Sequence, residues 1–131
     1  PGGSLGRKLL TTVKQVMKTK LLPICQESSS MKDIISQITI GKLGLVVILD
    51  QSKIKGIITD GDLRRAMKAH EQNFFDIKAV DIMSLSPLKV NQNQKLLEAS
   101  EKMTSQKVNS LLVVDDSDVF VGVIQVYDIG V

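Results

Sequence analysis

Apolar residues in this chain fall into short runs of two kinds, and the kinds alternate. Leu43 to Leu49 is a near-continuous apolar stretch, the mark of a strand buried on both faces. Asp50-Gln51-Ser52-Lys53 makes a polar turn, and Ile54 to Thr59 returns as the partner strand. Ahead of this hairpin, Met31, Ile34, Ile35 and Ile38 are spaced three and four apart. That spacing predicts a helix from Met31 to about Gly41 with a core-facing stripe, and Ser28-Ser29-Ser30 supplies its N-cap. Leu21 to Cys25 reads as a short extended piece, with Pro23 suited to a sheet edge. Thr12 to Met17 reads as a helical turn that ends near Lys18-Thr19-Lys20. After Thr59 a second helix runs to about His70 with Asp62 as its N-cap. Phe74 and Phe75 are expected to pin the polar bridge Glu71 to Asp76 against the core.

The pattern then repeats. Gly122 follows Gly56 by 66 positions, Asp128 follows Asp62 by 66, and Ile82-Met83 follows Val16-Met17 by 66. Lys42 to Asp50 matches Lys107 to Asp115 at a spacing of 65. The one-residue slip is absorbed in loops, as expected for two copies of one structural unit. In the second copy Val80 to Met83 is the helical turn and Leu88 to Val90 the short strand. The helix runs from about Lys95 to Ser105, with Leu96, Leu97, Ala99 and Met103 inward. Ser110 to Val114 and Val119 to Gln125 form the hairpin. Its tip, Asp115 to Asp118, lacks the glycine and terminal glutamate of a calcium loop. The expected fold is α+β, two β-α-β-β-α repeats related by a pseudo-twofold, packed sheet to sheet with a cleft between them. The expected divisions are a linker over residues 1–11, a first repeat over 12–76 and a second over 77–131. The last repeat has its closing helix cut short.

Length supports this division, because halves of some 60 residues are marginal alone and 131 residues suit a shared core. Hydrophobic residues are 43 % of the chain and aromatics 3 %, with no Trp, so the core is aliphatic. So few rings argue against a platform for single-stranded nucleic acid. The net charge is +3, with 17 basic and 14 acidic residues interspersed, which is a mixed solvated surface rather than a nucleic-acid stripe. No apolar run approaches a membrane span. One cysteine, Cys25, excludes an intrachain disulfide and suits a reducing cytoplasm. With one His and one Cys there is no zinc cluster and no Ser–His–Asp arrangement, and no metal site is expected. His70 reads as a surface residue. Without an acid–base or nucleophile constellation, no catalysis by this chain alone is expected.

Candidate chemistry sits at Gly56-Ile57-Ile58-Thr59-Asp60-Gly61-Asp62. A hydroxyl and a carboxylate three apart beside a helix N-terminus suit a phosphate and a sugar diol, because free N–H groups and the helix dipole attract anions. The competing reading is that Asp62 is a cap and nothing more.

These residues resemble the tandem CBS-domain family, in which each repeat ends in Gly, two hydrophobics, Thr or Ser, two free positions and Asp. The resemblance covers the whole chain. It implies a nucleotide-type ligand in the cleft, with Asp62 on the ribose hydroxyls and Thr59 on phosphate. Gly44 and Leu45 would contribute backbone, and the segment that opens the other repeat, here Ser84, Pro87 and Leu88, would form the opposite wall. At the second site Asp128 is kept, but Gln125 stands where Thr or Ser is usual. The departure implies a site that is weak, altered or empty.

The opening Pro-Gly-Gly-Ser-Leu-Gly-Arg-Lys-Leu-Leu and the motif Thr59-Asp60-Gly61-Asp62-Leu63-Arg64-Arg65 further resemble the C-terminal part of the D-arabinose 5-phosphate isomerase family. There a sugar-isomerase (SIS) domain precedes the CBS pair and interconverts ribulose 5-phosphate and arabinose 5-phosphate for Kdo, lipopolysaccharide or capsule synthesis. The resemblance implies a regulatory module in the cytoplasm, with a homodimer of CBS pairs in a tetrameric parent. No cofactor is required, and CMP-Kdo, CMP, AMP or ATP are the candidate ligands. Two rival readings remain: a structural dimerisation module without ligand, and an adenine-nucleotide energy sensor.

Overall fold

The computed structural model describes residues 9–130. Most of the expected linker, and Val131, lie outside the described residues. The elements run α1 (Val13–Val16), β1 (Ile24–Cys25), α2 (Met31–Gly41), β2 (Leu45–Asp50), β3 (Lys53–Thr59), α3 (Asp60–His70), a 3₁₀ segment (Glu71–Asp76), α4 (Ala79–Ile82), β4 (Lys89–Asn91), α5 (Leu96–Gln106), β5 (Ser110–Val114), β6 (Phe120–Gln125) and α6 (Val126–Ile129). Each repeat is therefore β-α-β-β-α, in two three-stranded sheets ordered β1-β2-β3 and β4-β5-β6. In each sheet the first pair is parallel and the second antiparallel.

Among the described residues the chain packs as two compact units, one spanning Leu21–Pro87 and the other combining residues 9–20 with 88–130. The expected segments 12–76 and 77–131 are units of sequence, and packing cuts the chain differently. Helix α1 opens the first repeat, yet Val13, Val16 and Met17 pack with Leu96, Met103 and Ile124 of the second. Helix α4 opens the second repeat, yet Ala79, Ile82 and Met83 pack with Ile34, Ile48 and Phe74 of the first.

Backbone geometry explains this cut. After α4, Ser84 bridges Ile57 in β3 through Ile57 N–H to the Ser84 carbonyl (3.1 Å) and Ser84 N–H to the Ile57 carbonyl (2.9 Å). After α1, Lys18 bridges Val123 in β6 in the same way, at 2.8 and 3.0 Å. Each strap lies against a glycine. A Cβ on Gly56 would stand 2.8 Å from the Ser84 carbonyl oxygen and 2.9 Å from the Met83 sulfur. On Gly122 it would stand 2.7 Å from the Lys18 carbonyl oxygen and 2.9 Å from the Met17 sulfur. The two repeated markers, glycine and methionine, are thus the two sides of one contact. Beside each glycine the antiparallel register slips, between Ile48 and Leu49 and between Val113 and Val114.

Several expectations are met in detail. Leu45 to Ile48 are buried along β2, and Ser30 caps α2 by accepting the Asp33 N–H at 3.2 Å. Others are corrected. Ile35 is 36 % exposed, because it lies one residue, about 100°, round the helix from Ile34 and falls at the edge of the buried stripe. Phe74 is buried, whereas Phe75 is exposed and meets it only edge to face at 5.0 Å. The N-cap of α3 is Thr59, not Asp62, and Asp62 occupies the third helical position. The first hairpin turns on Gln51 and Ser52, at φ 50° and 70°, the two left-handed residues of a type I′ turn. The longer second tip needs only Asp118 left-handed, at 63°. Among the described residues no helix is long and apolar enough to cross a membrane.

Burial lifts the Cys25 thiol above its ordinary range; the Ser29 hydrogen bond lowers it and the Asp33 charge raises it further. A raised folded pKa stabilises the fold fully below the unfolded value, and that contribution is lost as pH climbs through the folded one. Cys25 is therefore expected to react with iodoacetamide at pH 8 far more slowly in the folded chain than in urea.

Gly122→Ala is expected to lower stability by about 1–3 kcal/mol, because the methyl meets backbone that cannot step aside. In Gly61→Ala the new methyl meets the tip of the Arg65 side chain at 3.3 Å, so the gain in helix propensity is expected to prevail. Urea midpoints at unchanged slope check both signs. Ser52→Gly is expected to raise the midpoint, since glycine takes the left-handed conformation without the cost of about 1 kcal/mol that a Cβ brings.

Candidate functional site

In the Leu21–Pro87 unit, β3 ends at Thr59 in extended conformation, and the eleven-residue α3 begins at the next residue. The Thr59 hydroxyl accepts the Asp62 N–H at 3.2 Å, and Asp62 Oδ2 accepts the Thr59 N–H at 2.9 Å. This reciprocal capping box satisfies two orphan donors and fixes the carboxylate at the helix entrance. Asp62 Oδ1 accepts Arg65 Nη2 at 2.7 Å; the carboxylate is 16 % exposed and the arginine 73 %. Held on its own helix in open solvent, Arg65 is an exposed surface pair worth little, roughly 0–1 kcal/mol. The Thr59 hydroxyl spends a lone pair on the cap, so its own proton remains available to donate.

Two further residues named from sequence meet this corner. Leu45 pairs with Thr59 across the sheet, and Gly44, at φ 74°, accepts the Asp60 N–H at 3.1 Å. Leu45 is buried, so its backbone is what it presents at the corner. Ser84 lies beside Ile57 on the outer edge of β3. Pro87 belongs to the same unit and Leu88 to the other, where its carbonyl accepts the Leu112 N–H at 3.1 Å. The structure thus brings Thr59, Asp62, Gly44 and Leu45 to one corner with Ser84 alongside, and it packs Leu88, partly buried, against the core of the second unit.

The second unit has a matching corner with different chemistry. Asp128 Oδ2 accepts the Gln125 N–H at 2.8 Å, and the Asn109 carbonyl accepts the Val126 N–H at 3.0 Å, as Gly44 does for Asp60. The Gln125 side chain is buried, and its amide donates to the Ser110 hydroxyl at 2.8 Å. Asp128 Oδ1 is ion-paired with the Lys18 ammonium. Sequence reasoning missed Lys18, Ser110 and the engagement of Arg65. The repeat sets Lys18 at the position of Ser84, at a spacing of 66, but does not show that it pairs with Asp128.

A depression of about 350 Å³ lies elsewhere in the Leu21–Pro87 unit, lined by Cys25, Gln26, Ser29 and Asp33 among others, and not by Thr59 or Asp62. Among the described residues no three His, Cys, Asp or Glu side chains are grouped as for a metal ion.

The description CBS domain matches residues 13–69 and 79–129. An arabinose 5-phosphate isomerase of Escherichia coli, KpsF, is 40 % identical over 129 residues, covering 98 % of this chain and 39 % of that protein. A probable arabinose 5-phosphate isomerase of Haemophilus influenzae is 38 % identical over 125 residues, covering 95 % of this chain and 37 % of its own length. The chain therefore spans under two fifths of these relatives. The crystal structure of CBSX2 in complex with AMP, a CBS-pair protein of Arabidopsis thaliana, superposes with a TM-score of 0.76 at 22 % identity, over 91 % of this chain and 92 % of that one. Two successive family matches falling on two copies of one β-α-β-β-α repeat lead to one conclusion: the chain belongs to the CBS-domain family, as a tandem pair.

Proposed function

We propose that this chain is the nucleotide-sensing CBS pair of an arabinose 5-phosphate isomerase, with Thr59 and Asp62 as the centre of its ligand site. The observation that carries the proposal is the Thr59–Asp62 capping box on the eleven-residue α3. It presents a fixed carboxylate and a hydroxyl together at the positive end of a helix dipole, which suits a ribose diol next to a phosphate. Gly44 and Leu45 supply backbone at the same corner, Ser84 stands on the adjacent strand edge, and Pro87 closes the same unit. The AMP bound by CBSX2 and the isomerase relatives support the reading. In this proposal the parent polypeptide carries an SIS domain ahead of this chain. It acts in the cytoplasm as an aldose–ketose isomerase supplying Kdo for lipopolysaccharide or capsule, and assembles through dimers of CBS pairs.

The ligand regulates the parent only if it binds two arrangements of the module with different affinity, because a ligand shifts an equilibrium by its differential affinity alone. CMP-Kdo, which joins ribose, phosphate and an acidic sugar, is the feedback ligand this reading favours. An adenine nucleotide would instead make the module an energy sensor. The structural reading also has an observation in its favour, because both Asp62 oxygens already have partners within the chain, Oδ2 in the cap and Oδ1 on Arg65.

Isothermal titration with CMP-Kdo, CMP, AMP and ATP separates these readings. Asp62→Ala is expected to abolish binding and to cost about 1 kcal/mol of stability as a lost cap. Asp62→Asn keeps an acceptor for the Thr59 N–H but loses the charge. It is expected to keep most of the stability and to weaken binding at least tenfold. The base of the winning ligand chooses between feedback and energy sensing. A folded chain that binds none of the four leaves the dimerisation role.

A further inference from the structure

The two corners of this pair are not equivalent, and the difference lies in three side chains of the second unit. Resting on the assignment of Thr59 and Asp62 above, we infer that Lys18 and Gln125 close the second corner, so that each chain takes one nucleotide rather than two. Asp128 keeps the position and the capping role of Asp62, but its remaining oxygen is taken by the Lys18 ammonium. The corresponding oxygen of Asp62 meets Arg65, and the two pairs differ in how they are held. Arg65 reaches from its own helix surface with its side chain 73 % exposed, and can swing into water. Lys18 is anchored by two backbone bonds to β6, its side chain is only 36 % exposed, and it stands where the first unit has Ser84. A ribose diol arriving at Asp128 must displace an anchored cation, whereas at Asp62 it meets a carboxylate with a mobile partner.

The phosphate side is altered as well. Thr59 leaves a hydroxyl proton free to donate, but the Gln125 amide is turned into the interior and spent on Ser110. Ser110 itself stands at the register position of Leu45, opposite the strand end, so Gln125 and Ser110 form a matched internal pair. Both features that suit the first corner to a nucleotide are thus occupied by the protein in the second. Lys18 acts there in place of a ligand, fastening the N-terminal strap to the segment that follows β6.

The test is the stoichiometry of AMP, ATP and CMP in isothermal titration. The chains compared are the wild type, Asp62→Ala, Lys18→Ser/Gln125→Thr, and the triple variant combining all three changes. The expected values are one nucleotide per chain, none, two and one. Two nucleotides in the wild type would overturn the inference. So would a value still at one in the Lys18→Ser/Gln125→Thr chain, with none in the triple variant. Binding by the triple variant with none by the wild type would instead refute the Asp62 assignment and leave the closed second corner standing. No binding by any chain refutes both. Should the altered chains fold poorly, amide shifts of the wild type decide. Saturable movement at Thr59 to Asp62 with none at Gln125 to Asp128 is expected, and saturable movement at both overturns the inference.

Discussion

The contact between strap and glycine is the constraint on which each unit depends. A strand edge offers unpaired N–H and C=O groups that must be satisfied. Here the N–H and C=O of Ile57 on β3 and of Val123 on β6 are satisfied by one residue each, Ser84 or Lys18, arriving from a segment outside the hairpin. That residue approaches so closely that the strand can carry no side chain at Gly56 or Gly122. The methionine before it fills the space the missing side chain leaves. Glycine, bulge, methionine and strap form one device, which is why all of them recur together.

The device also determines how the pair is connected. In the Leu21–Pro87 unit the strap follows its hairpin by fewer than thirty residues. In the other unit the strap comes from the opposite end of the chain, so Lys18 meets Val123 across most of the sequence. Closing so long a loop costs little more than closing a short one, since the entropy grows only as the logarithm of length. The exchange makes each unit incomplete without residues that flank the other repeat. It also ties the stretch that follows α1 directly to the second corner through Lys18 and Asp128.

The candidate site inherits its precision from this framework. Thr59 is the last residue of the strand that Ser84 covers, and Asp62 is held by the cap that the same residue begins. A sugar-recognising carboxylate and a helix-capping carboxylate are not alternatives here. Capping employs Oδ2 and orients Oδ1, and orientation is what a binding group needs in advance of its ligand.

Much of this was legible in the order of residues. Apolar runs placed the two hairpins and the helices α2 and α5, because burial of a strand or of a helix stripe leaves a period in the sequence. Helix α3 was read from its polar turn and capping residues. The 66-residue recurrence disclosed the repeat, and Thr59 with Asp62 disclosed the corner. Three matters were decided only by tertiary structure. Asp62 reads as an N-cap by composition, yet Thr59 takes that place, because the strand carries extended backbone through Thr59 and Asp62 closes the box from the third helical position. The packing of α1 and α4 with the sheets of the opposite repeats has no trace in local pattern, since a strap is recognised by what it crosses and not by its own residues. The partner of Asp128 was hidden for the same reason. An ion pair between positions 18 and 128 depends on where a 110-residue excursion of backbone returns, and only the folded chain settles that.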